Sequence, residues 1–367
     1  MFPNPAEAIE NWLLASGVQL ASGPHQGGVA GWLTTGQTPA FIYPEITGYY
    51  LTWLAFGHAR QSNGHHDRAA KAHRALQWLS RQVQSQQKLP TRVYLSSQAE
   101  DWRNRACFAF DWAMVIRGAA AARELLDSPE IEVVISSGLE FLKRCCTPDH
   151  DLKPFDLNNK DDSTALPERW SSRPGPYLLK VAAALQLACQ ESLEGVLNES
   201  CRHLVSRWST SPAASPAARE LHSLLYSVEG MLLLGVCQPG GYHWKLAAER
   251  FELLLESELP NARLLRTRED HFEAQSDVLG QALRIGSILM SHGFLRGDAW
   301  KERLSGVARE LRGFVSSDGA VAFDRRKEPD RPHWNAWSAM FACQAFLFWD
   351  TCLSGKSVEP RLIRLLV

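Results

Sequence analysis

The chain lacks most of the signatures that would assign a chemistry from local pattern. Its 367 residues contain no H-E-x-x-H, no C-x-x-C pair, no G-x-x-x-x-G-K-[ST] loop and no G-x-S-x-G elbow, which leaves no motif for a zinc protease, a structural zinc site, a P-loop or an α/β-hydrolase. Gly23, Gly27, Gly28 and Gly31 form a glycine-rich stretch, but no strand pattern precedes them, so no dinucleotide site is expected. No resident metal and no cofactor are expected. Charge of one sign is missing too: the formal net charge is -1, which gives no electrostatic reason to expect nucleic acid as a partner. No apolar run reaches the length of about 18 residues that marks a membrane span. The start, Met1-Phe2-Pro3-Asn4-Pro5, has neither the basic nor the apolar region of a secretory signal. The eight cysteines are scattered through apolar stretches and read as small buried hydrophobes. Reduced thiols and a cytoplasmic location are the resulting expectation.

What is present is helical periodicity from end to end. Apolar residues make up 45% of the chain and charged residues 22%, enough for a large core. The pattern predicts about twelve helices, roughly over 5–21, 43–62, 65–87, 106–126, 129–146, 174–191, 193–209, 216–237, 240–258, 274–292, 296–315 and 334–353, with Ala320–Phe323 the one extended segment. Every second helix is apolar nearly all round, as in Tyr49–Phe56 and Met231–Val236, and must be buried on all sides. The intervening helices are amphipathic, with charges such as Arg68, Lys71, Arg74 and Arg81, and should face water. Alternation of six outer with six inner helices predicts an all-α fold, an (α/α)6 toroid occupying residues 1–367 as one domain. An open stack of hairpins gives the same periodicity, so closure is not fixed by pattern alone.

Loop lengths place the site. Inner-to-outer connections are short, whereas outer-to-inner ones are long at 22–42, 88–105, 147–173, 259–273 and 316–333, with 210–215 the exception. In a ring of antiparallel hairpins all the long loops share one face, where the inner helices begin. Loops this long in a compact domain are usually functional.

Several inner helices carry polar residues near that face. Glu45 shares a helix side with Tyr49 and follows Tyr43; it reads either as a general acid or base or as a first-turn carboxylate that complements the helix dipole. Asp111, among aromatics, reads as a carboxyl of raised pKa, as an N-cap, or as a partner of Arg117. Trp170 and Tyr177 are candidate stacking platforms and Arg173 a candidate anion clamp, against the alternative of a rigid proline-anchored loop. His222, Tyr226 and Glu229 make the sharpest polar stripe on an otherwise apolar helix; burying it requires partners or water. Asp277, Gln281 and Arg284 repeat the spacing and read as ligand-binding groups or as a salt bridge along the helix. Trp334 and Trp337 are platform or core. The candidate catalytic set is Glu45, Asp111, His222 and Glu229, and the expected ligand is an oligosaccharide or sugar. An anionic group such as a uronate or phosphate would suit the loop arginines Arg92, Arg103, Arg105, Arg169, Arg173, Arg266, Arg268, Arg325, Arg326 and Arg331, unless these pair with loop carboxylates such as Asp101, Glu168 and Asp324.

Segments along most of the chain, Tyr43-Pro44-Glu45-Ile46-Thr47-Gly48-Tyr49, Phe110-Asp111 through Arg117-Gly118, His222 through Gly230, Gln281-Ala282-Leu283-Arg284 and Asn335-Ala336-Trp337 through Ala342, resemble the VpsJ-like proteins of bacterial exopolysaccharide and capsule biosynthesis. The ring is similar, more distantly, to six-hairpin glycosidases, polysaccharide lyases and sugar epimerases. The resemblance implies a role around polysaccharide assembly and brings no assigned reaction. Three functions are therefore expected in competition: a glycoside hydrolase using two carboxylates, an epimerase or lyase using His222 or Tyr226, and a non-catalytic module that binds a glycan or a partner protein.

Overall fold

The computed structural model describes residues 5–34, 36, 38–60, 65–86, 88–95, 101–157, 166–189, 193–210, 221–238, 240–258, 265–268, 271–324 and 333–367. Its helices are α1 (Pro5–Ala15), α2 (Pro44–Ala59), α3 (His65–Gln86), α4 (Ala109–Ala121), α5 (Pro129–Cys145), α6 (Leu178–Cys189), α7 (Gly195–Ser209), α8 (Leu221–Cys237), α9 (Tyr242–Glu258), α10 (Ser276–Ser291), α11 (Asp298–Arg312), α12 (Ala336–Leu353) and the short α13 (Pro360–Ile363). The alternation read from the sequence holds. Helices α2, α4, α6, α8, α10 and α12 bury nearly every side chain, whereas α5 and α11 bury one stripe each.

The ring is closed. Each inner helix packs against the next, from α2 through α4, α6, α8 and α10 to α12, and α12 returns to α2. Each outer helix backs one inner helix, with α1 lying against α12, so the ends of the chain complete one hairpin between them. The inner helices approach closely because small residues sit at their crossings. A Cβ on Gly118 of α4 would lie 2.1 Å from the Gly48 carbonyl of α2, and one on Gly48 would lie 2.6 Å from the Met114 carbonyl. A Cβ on Gly230 of α8 would meet the Leu179–Lys180 backbone of α6 at 2.6 Å.

Two expectations are corrected here. Arg68 does not face water. It is fully buried on α3, lies over the Trp53 ring and pairs with Glu10 of α1. Gly57 makes the room, since a Cβ there would meet the Arg68 guanidinium at 2.3 Å. Nor is Ala320–Phe323 the one extended segment. Among the described residues eight short strands form four antiparallel pairs. Trp32–Leu33 pairs with Trp334–Asn335, Phe41–Ile42 with Val93–Tyr94, Ala106–Phe108 with Phe155–Leu157, and Leu265–Arg268 with His271–Ala274. Ala320–Phe323 contributes bridges, from Val321 to Val315 and from Ala322 to Trp334. The long loops crowd one face, and their backbone groups pair with each other instead of with water. Pairing between segments far apart in sequence leaves no local periodicity. For the same reason α4 begins at Ala109, after the strand Ala106–Phe108, and later than the pattern suggested; α6 also begins later, at Leu178, after a turn at Pro176–Tyr177.

The opposite end is filled by the last residues of the sequence. The Arg364 carbonyl accepts from Arg117 at 2.9 Å, the Leu365 carbonyl from Gln344 at 2.8 Å, and Val367 donates to Gln344 at 3.0 Å. Among the described residues no helix is long and apolar enough to cross a membrane, and all eight cysteines are free thiols.

Gly118→Ala should lower stability by about 1–3 kcal/mol or more, because overpacking at a backbone contact has no flexible neighbour to yield. A thermal melt indistinguishable from wild type would show that α2 and α4 do not cross at these glycines.

Candidate active site

The close crossings set the site in two tiers. In the upper tier, at the face where the long loops gather, Glu45 and Asp111 occupy the first turns of α2 and α4. The Gly48–Gly118 crossing lies just below them and brings the two carboxyl groups into hydrogen-bond contact. Glu45 is 6% exposed and Asp111 8%, so both are nearly dry yet reachable. Two buried carboxylates in contact cannot both ionise, and one proton is shared. Burial first raises Glu45 to about 7, against the opposing pull of its hydrogen bond from Tyr43 and the charge of Lys180. Burial and then the Glu45 charge push Asp111 well above the usual carboxylate range. Asp111 Oδ2 has no hydrogen-bond donor among the described residues.

Across the ring, His222 Nδ1 lies 2.7 Å from Gln281 Oε1 and 3.6 Å from Asp277 Oδ2. Asp277 is itself held by the Val278 N–H at 2.8 Å and by Trp337 Nε1 at 3.3 Å. This is an imidazole oriented by an amide and a carboxylate, the arrangement that fixes a base's tautomer and direction. Tyr226 links the two halves. Its ring lies 4.4 Å from His222 and 4.8 Å from Phe110, and its hydroxyl is 3.2 Å from that of Tyr49. Tyr49 in turn reaches the Glu45 carboxyl. Burial raises Tyr43, Tyr49 and Tyr226 well above the ordinary phenol range, so all three act as neutral hydrogen-bonding hydroxyls.

The lower tier is fully closed. Lys180, Glu229 and Arg284 each expose 0% of their surface. Glu229 accepts from Lys180 Nζ at 2.8 Å and from Arg284 Nε at 2.9 Å. Burial alone would raise Glu229, but the Arg284 and Lys180 charges hold it below its ordinary value. Lys180 goes the other way, with burial lowering it to about 7 in spite of the Glu229 charge. Its Nζ also donates to Tyr49 Oη at 3.4 Å and to the Val367 main-chain oxygen at 3.2 Å. Arg284 additionally reaches Gln344 Oε1 at 3.2 Å and lies over the Phe341 ring at 3.9 Å.

The residues singled out in the sequence are thus divided by the fold. Glu45, Asp111, Tyr43, Tyr49, His222, Tyr226, Asp277 and Gln281 come together in the upper tier, with Trp337 beside Asp277 and Trp170 against Phe110 and His222. Glu229 lies below, consumed by two cations. Arg284 and Asp277 form no ion pair along their helix, because Arg284 turns down to Glu229 while Asp277 faces His222. Arg117 pairs with the Arg364 carbonyl instead of with Asp111. Arg173 is half-exposed and bridged to Glu168. Tyr177 commits its hydroxyl to the Arg173 and Ser171 carbonyls and holds the preceding loop. Trp334 is half-buried in the strand pair that joins the first and last loops. Arg266 and Arg268 lie in a strand whose side chains are outside the described residues, as are Arg325, Arg326 and Arg331.

One residue of the candidate site, Lys180, went unrecognised. It carries a signal in hindsight: it is a lone cation in the first turn of an apolar helix, where the dipole disfavours it. Arg92, one of the loop arginines expected at this face, lies over Phe41 at 3.9 Å and over Trp32 at 5.1 Å, near enough for its charge to act on Tyr43. Among the described residues no group of three or more His, Cys, Asp or Glu side chains gathers to hold a metal ion.

No family model matches the chain, and no curated protein does. Solved structures do. A D-mannose isomerase superposes with a TM-score of 0.72 over 95% of this chain and 97% of its own, at 12% identity. A cellobiose 2-epimerase from Spirochaeta thermophila gives 0.67 over 95% and 97%, at 15% identity. An α-1,6-mannanase from a Salegentibacter species, complexed with α-1,6-mannotriose, gives 0.62 over 95% and 99%, at 11% identity. The fold is an (α/α)6 toroid. At these identities the likeness concerns architecture, and a fold of this kind hosts more than one chemistry.

Two outcomes follow from the tiers. Glu45 has a folded-state pKa of about 7 against an ordinary 4.5, so its ionisation destabilises the folded protein. That penalty is absent below the ordinary value, grows between the two, and is complete above the folded one. Glu45→Gln should therefore melt higher than wild type at pH 8, by up to about 3 kcal/mol of stability, with the gap closing toward pH 5. A gap independent of pH would mean the carboxyl is not protonated by its surroundings. Arg284→Met should cost about 3–5 kcal/mol, since it removes one partner of a fully buried carboxylate; a denaturation midpoint within error of wild type would contradict the triad.

Proposed function

We propose that this protein is a carbohydrate-active enzyme that moves protons on a sugar bound at the inner-helix N-terminal face. The Glu45–Asp111 dyad is the acid, and His222, oriented by Asp277 and Gln281, is the base. The observation that carries the reading is the pairing of these two centres on opposite sides of one ring, a protonated dyad on α2 and α4 and an oriented imidazole on α8 and α10, joined by Tyr226. Proton abstraction beside a sugar carbonyl needs such a couple. The base removes the carbon-bound proton while the acid protonates the carbonyl oxygen, giving an enediol that the reverse steps return as an epimer or isomer. Nearby titratable groups whose surroundings set them to different tasks are how one site runs both steps.

Hydrolysis by two carboxylates, for which Glu45, Asp111, Glu229 and Asp277 are the candidates, is less well supported for the Glu45–Asp111 pair. Two carboxyls that cleave a glycosidic bond stand about 5–5.5 Å apart for retention or 6.5–9.5 Å for inversion, whereas Glu45 and Asp111 touch. One observation keeps hydrolysis as the second reading. Tyr226 feels the charges of both Glu45 and Asp277, so the site holds two separate carboxyl centres. The neighbours named for an isomerase and an epimerase support the first reading, and the mannanase supports the second. Glu229 has no catalytic part in either.

A neutral sugar fits better than an anionic one. Arg284 is neutralised by Glu229 and Arg173 by Glu168, and the upper tier adds three carboxyl groups against Arg92. Half-buried Trp170, Trp337 and Tyr43 supply apolar faces and polar edges of the kind sugar rings pack against. A place beside polysaccharide assembly, which the VpsJ-like resemblance implies, belongs to this proposal as its cellular setting.

The test is solvent exchange. In D2O, wild type incubated with a panel of aldoses, ketoses and short β- and α-linked oligosaccharides should place deuterium beside the carbonyl of at least one of them. His222→Asn should lose that signal by at least about 100-fold, the scale of general-base catalysis. New reducing ends without exchange would replace this reading by hydrolysis. Binding without either would make the protein a sugar-binding module.

A further inference from the structure

The upper-tier acid does not stand alone on the charge below it. The dyad is surrounded by Tyr43 and Tyr49 on its own helix α2, Thr91 in the neighbouring loop, Tyr226 on α8 and Lys180 on α6, with Arg92 beyond Tyr43. Lys180 is faced by Glu229 and Tyr226 of α8, Arg284 of α10, Arg117 of α4, Tyr49 of α2 and the Val367 main-chain oxygen, while α12 offers it only the Phe341 ring. Three cations, Lys180, Arg284 and Arg117, therefore gather around Glu229, and Arg117 has two guanidinium nitrogens with no acceptor among the described residues. One tier up, Glu45 of the dyad lies within the field of the Lys180 ammonium. The hydroxyl that touches both is Tyr49: it accepts from Lys180 at 3.4 Å, lies 3.2 Å from Tyr226 Oη, and reaches Glu45.

The geometry points to Lys180 as a positioning residue for the proposed chemistry: from beneath, through the Tyr49 hydroxyl, it keeps one negative charge on the Glu45–Asp111 dyad. Lys180 is fully buried and touches no substrate. It acts by making the singly protonated dyad the stable state, so that one carboxyl is an acid and the other the acceptor that holds it. Without the ammonium, Glu229 and Arg284 close into a neutral pair and the dyad loses its nearest counter-charge. A buried site of low polarizability then favours a second proton. The position of Lys180 is itself built: Gly230 admits the α6 backbone at Leu179–Lys180 against the middle of α8.

This inference rests on the proposed role of the dyad, and its test is made on the sugar-free protein so that the two stand or fall separately. The protonated-carboxyl stretch of the dyad is followed by infrared titration, with its band assigned by loss in Glu45→Gln. Wild type should titrate near pH 7. Lys180→Met, which leaves the Glu229–Arg284 pair intact, should move the midpoint up by about one pH unit or more. Tyr49→Phe, which removes one hydroxyl and no charge, should move it in the same direction by less, and it gives a reading even if Lys180→Met does not fold. A midpoint unmoved in either folded variant overturns the inference. Shifted midpoints in a protein that shows no sugar exchange would leave the charge coupling standing and the proposed reaction refuted.

Discussion

Everything at the site depends on one buried carboxylate. Glu229 lies at the centre of the ring and accepts from Lys180 of α6 and Arg284 of α10, with no surface exposed on any of the three. Charges placed in so dry an interior are tolerated only when paired and fully hydrogen-bonded. The pairing therefore fixes which faces of α6, α8 and α10 meet, and at what height. It also decides which of the polar residues on α8 and α10 remain for other work. Once Glu229 and Arg284 are spent on each other, His222, Tyr226, Asp277 and Gln281 are left one to two turns higher, at the end of the ring where exposure begins.

The glycine crossings give that arrangement its precision. Gly48 and Gly118 let α2 and α4 touch backbone to backbone, and the residues one and two turns above, Glu45 and Asp111, are driven into contact. A wider crossing would leave two ordinary ionised carboxylates, whereas the tight one makes them share a proton. A local steric fact, the absence of two methyl groups, thereby becomes an acid that holds its proton near neutral pH. Above the dyad, the strand pairs that stitch the long loops together carry Trp32, Tyr94, Trp334 and Arg92 around the rim.

The two tiers divide the charge between them. The lower tier is fully buried and paired around Glu229, where burial lowers Lys180 to about 7. The upper tier contains the Glu45–Asp111 dyad, in which burial holds Glu45 at about 7 and pushes Asp111 above the usual carboxylate range. The phenols between them stay neutral because burial raises them well above the ordinary phenol range. They convey hydrogen bonds from one tier to the other without competing for the proton.

By itself the sequence determined the helices, their alternation and the face that carries the site, because burial on all sides and burial on one side leave different periodicities, and loop lengths follow the side on which chains turn. It also picked out most of the upper-tier residues, since a polar stripe such as His222–Tyr226 or a Glu45–Tyr49 pair stands out in an otherwise apolar helix. Only the tertiary structure decided closure, the strand pairs of the rim, and the partner of each buried charge. Arg68 reads as a solvent-facing residue until Gly57 and Trp53 are seen beneath it, and Arg284 reads as a neighbour of Asp277 until Glu229 arrives from α8. Lys180 is one cation in a run of leucines and alanines until five other elements converge on its ammonium. Such pairings join residues about 50 positions apart, as from Lys180 to Glu229 and from Glu229 to Arg284. Coulomb energy in a dry interior depends on the distance between charges in space, and periodicity along the chain carries no trace of that.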